Sequence, residues 1–79
     1  MYRVTSNFHD IDTGKVTATH TLRSDAVDAD HAQLIAHTDA TQYVNALPKT
    51  SETRIRKHVS GIVVSVDGKP SISYRWQEV

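Results

Sequence analysis

The dipeptide Asp67-Gly68 separates two alternating apolar runs, residues 61–66 and 69–76. Asp-Gly between alternating β-branched residues is the strongest short-range hairpin signal, because a tight turn needs left-handed backbone that Gly and Asp accept. The two-residue period of a strand constrains the loop further. A two-residue turn would set Ile62 and Val64 opposite Ser73 and Ser71, dividing the apolar side chains between two faces. A three-residue loop ending at Gly68 sets Ile62 opposite Ile72 and keeps Tyr74 and Trp76 on that side. The pattern predicts this bulged loop.

The N-terminal third repeats the design. Tyr2, Val4, Ser6 and Phe8 alternate with polar residues, as do Val16, Ala18, His20 and Leu22 beyond Asp12-Thr13-Gly14. Both apolar sets fall on even numbers, so they share a face only across an odd loop. A three-residue loop 12–14, with Gly14 left-handed, places Phe8 opposite Ala18, Ser6 opposite His20 and Val4 opposite Leu22. Ile55 and Val59 lie on odd positions, out of phase with Ile62 and Val64. A β-bulge at Ser60-Gly61 would restore the phase within one strand; otherwise the strand begins near His58.

Residues 24–47 read as helical, with Ser24 as N-cap, Asp25 and Asp28 near the positive end of the dipole, and Pro48 as the stop. At about 100° per residue, Val27 and Leu34 fall opposite Ala40, Tyr43, Val44 and Leu47. This predicts two short helices with a kink near Thr38, the second capped by Asp39 and Gln42. A strand at 33–37 before a helix at 39–47 is the alternative.

The expected architecture is one α+β domain over residues 1–79. Two β-hairpins flank a helical segment in the order ββα(α)ββ, with one antiparallel four-stranded sheet and the helices on one face. Tyr2, Val4, Phe8, Val16, Leu22, Ile62, Val64, Ile72, Tyr74 and Trp76 form the sheet's side of the core. Val27, Leu34, Ile35, Tyr43, Val44 and Leu47 form the helical side.

Several residue patterns carry a chemical suggestion, and each has a plainer reading. Asp12-Thr13-Gly14 spells the aspartic-protease triplet, but its neighbours are polar and the same triplet suits a hairpin loop. Asp10, Asp12 and Gly14 lack the further acidic ligands of a calcium loop. Asp28, Asp30, His31, His37 and Asp39 are metal-capable, yet His31 and His37 point apart on a straight helix and read as solvated side chains. Tyr74 and Trp76 read as core anchors before a partner-binding patch. The chain holds no cysteine, no nucleophile–base pair and no glycine-rich loop. No catalytic, cofactor-binding or metal site is expected.

Acidic side chains gather in residues 10–39 and basic ones in 40–79, although basic and acidic groups number nine each. The densest basic run is Arg54-Ile55-Arg56-Lys57-His58. On a strand, Arg54, Arg56 and His58 share one face. The leading expectation is a non-enzymatic interaction module of the regulator or inhibitor type, as some phage-encoded proteins are. It would bind a protein through a helix face or a sheet edge, with Arg54, Arg56, Lys57, Asp28 and Asp30 as partner-binding candidates. The contrasting expectation is a nucleic-acid binder using Arg54, Arg56, Lys57 and Lys69. Two open sheet edges and a net charge near zero favour a homodimer. No apolar leader is seen at residues 1–6 and no run is long enough to span a bilayer, so the cytoplasm is the simplest location.

Overall fold

A computed structural model describes all residues 1–79. The elements are β1 (Tyr2–His9), β2 (Val16–Ala26), α1 (Ala29–Asn45), β3 (Thr53–His58), β4 (Gly61–Val66) and β5 (Lys69–Glu78). The strands form one antiparallel sheet in the order β2-β1-β5-β4-β3, and α1 lies across one face. The α+β class and the helix-on-sheet layering stand. The sheet has five strands where four were expected. Val59 and Ser60 are a tight turn joining β3 to β4, so the phase change at Ile55 and Val59 reflects a chain reversal instead of a bulge.

One continuous helix replaces the expected pair. Asp28, not Ser24, is its N-cap, accepting from the N–H of His31 at 2.8 Å. The ring Nδ1 of His31 accepts in turn from the N–H of Val27 at 3.1 Å. The arrangement resembles a capping box, with histidine where Glu is usual and with Val27, the residue before the cap, as the second donor. Ser24 lies within β2 instead. The stripe facing the sheet is Ala32, Ala36 and Ala40, all fully buried, with Ile35, Tyr43 and Val44 packed beside it. Spacing of four places these alanines on one face, and their small size lets the helix approach the strands closely. Val27 and Leu34 were expected in the core but stand 68% and 62% exposed. Large side chains dominated the periodicity reading, while three alanines decided the packing.

The core itself is Val4, Ile62, Val64, Ile72, Tyr74 and Trp76 from the sheet, with Ala26 and the alanine stripe. Tyr2, Phe8, Leu22 and Ile55 pack around it half-buried, while Val16, expected with them, is 53% exposed. The predicted face of the C-terminal hairpin is correct, but its turn is not. Val66 pairs with Lys69 around Asp67 (φ 52°) and Gly68 (φ 82°), a two-residue loop with both positions left-handed. Ile62 faces Tyr74, and Val64 faces Ile72. The extra residue is Ser71, a bulge in β5 between the Val64 and Ser65 pairings. Its hydroxyl meets that of Tyr43 from α1 at 2.5 Å.

The first hairpin follows the same rule. Phe8 faces Ala18 and Ser6 faces His20, as predicted. Asp10 and Lys15 close the loop through backbone, so it is longer than 12–14, and register shifts lie on both sides of the regular stretch. One of them places Arg23, not Leu22, opposite Val4. The Oδ1 of Asp10 accepts from the N–H groups of Asp12 and Thr13 at 2.8 and 2.9 Å. These two bonds, that from Thr13 first, hold the Asp10 carboxyl below its ordinary range.

Candidate functional site

Helix α1 covers one face of the sheet and leaves the other open. Strand alternation dictates what that open face carries. Tyr2, Val4, Ser6 and Phe8 point to the helix, so Arg3, Thr5, Asn7 and His9 point away. Tyr74 and Trp76 are buried, so Ser73, Arg75 and Gln77 point away. Pairing extends these sets across the sheet. Thr19, Asn7, Ser73, Val63 and Arg56 form one row. Thr21, Thr5, Arg75, Gly61 and His58 form the next. Arg54 lies beside Ser65, and Arg3 beside Gln77.

Within β1, β3, β4 and β5 the open face carries Arg3, Arg54, Arg56, Arg75, His9 and His58 and no carboxylate. The remaining positions are Ser, Thr, Asn, Gln, Gly, Pro70 and one valine, Val63. Acidic groups stand at the margin. Glu52 lies 3.9 Å from Arg54, with both side chains well exposed. Asp25, near the end of β2, binds Arg23 at 2.8 Å. That pair lowers the Asp25 carboxyl and raises the Arg23 guanidinium, chiefly through the hydrogen bond between them.

Two adjoining shallow depressions cross this face. One, about 540 Å³, is lined by Arg54, Arg56, Val63 and Ser65, with Glu52 and Asp67 among its lining. The other, about 620 Å³, is lined by Asn7, His9, Thr19, Ser73 and Arg75. His58 and Val63 belong to both. His9 is held in place from two sides. Its Nδ1 donates to the carbonyl of Gly14 at 3.0 Å, which leaves Nε2 to accept from the hydroxyl of Ser73 at 2.7 Å.

The residues singled out in the sequence divide between the two faces. Arg54 and Arg56 share the open face, as their spacing required. Lys57 pairs with Ile62 on the helix side, where it borders a depression with Asp30, Leu34 and His37. The basic run is thus two surfaces. Asp28 is occupied by the helix cap, and Asp30 stands exposed in the first turn. Lys69 is exposed beside the Asp67-Gly68 turn. No three His, Cys, Asp or Glu side chains converge as a metal group would require, and no helix is long and apolar enough to cross a membrane. Asp12 sits exposed in the first hairpin loop.

Sequence reasoning missed Arg3, His9, Ser73 and Arg75. Each alternates with a core residue, so its direction was legible. Its neighbours were not, because β1 meets β5 only through a pairing of the two ends of the chain. No protein-family model, curated protein or solved structure matches this chain.

Proposed function

We propose that this protein is a small non-enzymatic interaction module that binds another macromolecule through the open face of its sheet. The observation that carries the reading is the charge of that face: Arg3, Arg56 and Arg75, from β1, β3 and β5, stand on it without an acidic partner, and only Arg54 is paired, with Glu52 at the margin. Cations left unpaired on adjacent strands repel one another, and an anionic partner relieves that repulsion. The acidic residues of α1 lie on the other side of the molecule, so charge also orients the approach. Arg56→Glu with Arg75→Glu removes retention of the partner captured from host extract, while Lys57→Glu, on the covered side, retains it. Equal retention by both variants would overturn the reading.

A second contact, with a protein, is supported at the β2 edge. β3 defends its edge with Arg54, Arg56, Lys57 and His58, whereas residues 16–22 of β2 carry no charge. Exposed Leu34 and half-buried Leu22 and Ile35 line a groove beside it. Strand addition here, by a partner or a second copy, adds lysine-sensitive association. Light scattering at two concentrations, with and without Thr19→Lys, tests it.

A further inference from the structure

We infer that the open face takes duplex nucleic acid, held by its phosphate backbone without base stacking. The inference rests on the interaction-module reading and names its partner.

The cations on this face are chiefly arginines. Guanidinium groups form forked, two-point hydrogen bonds to phosphate oxygens. Ser65, Gln77 and the amide NH2 of Asn7 add hydroxyl and amide donors of the kind that bond phosphate and sugar oxygens, while the hydroxyls of Thr5, Thr19 and Ser73 donate within the sheet. A protein interface of useful affinity needs an apolar or aromatic centre shielded from water. Here the apolar side chains are Val63, Pro70 and Val16, one each on β4, β5 and β2, and none is aromatic. Every aromatic side chain belongs to the other side: Tyr2, Phe8, Tyr74 and Trp76 on the covered face, and Tyr43 on α1. The same distribution removes the stacking platform that single-strand binders use. What remains is suited to a charged backbone whose bases stay paired.

The spacing agrees. Arg54 and Arg56 are separated by two residues of strand, about 7 Å, and β3 lies three strand spacings from β1, about 14 Å. Arg75 lies two strand spacings and one row from Arg56, about 12 Å, comparable to the ~12 Å major groove of B-DNA, and Arg3 continues the same diagonal about 8 Å beyond Arg75. Such binding is independent of sequence and strongly salt-dependent.

The test is fluorescence anisotropy of the whole chain with a labelled DNA duplex of two helical turns, its single strand, the equivalent RNA duplex and poly-glutamate, across a salt series. Arg3, Arg56 and Arg75 predict a slope of log K against log salt near −3, at about −0.9 per phosphate neutralised on B-DNA. Arg56→Ala and Arg75→Ala each lower that slope by about 1, while Lys57→Ala leaves it unchanged. The near-ultraviolet signal of buried Trp76 confirms that each variant is folded. Absence of binding to any nucleic acid at low salt overturns the inference, as does loss of affinity equal in Lys57→Ala. Tighter binding to the single strand overturns the duplex assignment. Binding of poly-glutamate alone, lost in Arg56→Ala, also overturns it but leaves the open face as the interaction surface.

Discussion

The hydroxyl of Tyr74 donates a 2.6 Å hydrogen bond to Oδ2 of Asp39, joining the centre of β5 to the middle of α1. It is a polar tie across an apolar layer, with Tyr74 almost fully buried and Asp39 half-buried. Tyr74→Phe keeps the ring and removes only the donor. A hydrogen bond to an ionised group contributes about 1.5 to 3 kcal/mol, so urea unfolding of this variant should show a loss in that range. The loss should vanish when Asp39→Ala is already present, as a double-mutant cycle would reveal.

The same tie makes stability sensitive to alkali. Burial, and then the Asp39 carboxylate, push the Tyr74 hydroxyl well above the ordinary tyrosine value. The folded state therefore keeps this proton at pH values where the unfolded chain releases it. Stability from this source is complete below about pH 10 and falls above it, by about 1.4 kcal/mol per pH unit. Unfolding monitored by Trp76 fluorescence at rising pH should show this fall, and Tyr74→Phe should reduce it.

Gly61 is required by proximity, not by its backbone angle. A Cβ built there would lie 2.8 Å from the carbonyl oxygen of Tyr74, a backbone atom that cannot turn aside. Gly61→Ala must separate β4 from β5 at the row that carries Arg75 and His58. We expect a loss of about 1 to 3 kcal/mol, the usual range for forced overpacking. Ala at Gly14 meets no neighbour within 4 Å and is penalised only by its positive φ of 75°, at about 1 kcal/mol or slightly more. Thermal melts of the two variants should separate in that order.

Strand parity discloses the faces of this chain but not where its odd residues sit. It required an odd number of residues between Phe8 and Ala18, and between Ile62 and its partner across the second hairpin. The structure has those odd separations. It places the odd residue in a strand, at Ser71, and not in the Asp67-Gly68 turn, because periodicity counts residues without locating them. The alternating faces were therefore legible, and with them Arg54, Arg56 and His58 as a set. The alanine stripe was not, since Ala32, Ala36 and Ala40 gain their meaning only against a surface close enough to exclude larger side chains. Nor was the full cationic face, which depends on β1 lying beside β5. Lys57 shows the reverse limit: residues adjacent in the chain need not act together once strand alternation separates them.

Asp28 tests whether a surface carboxylate acts on a partner or on its own helix. It satisfies the N–H of His31, while the ring of His31 satisfies that of Val27. Asp28→Ala removes the cap acceptor and should cost about 1 kcal/mol, within the usual range of about 0.5 to 2. Asn preserves the acceptor while removing the charge, so Asp28→Asn should recover most of that stability. If Asp28 serves only the cap, nucleic-acid or protein binding should be unaltered in Asp28→Asn and weakened in Asp28→Ala only as far as the helix frays. Calorimetric melts paired with the anisotropy assay check both halves. A binding loss in Asp28→Asn without a stability loss would instead place this residue at a partner surface, on the face opposite the arginines.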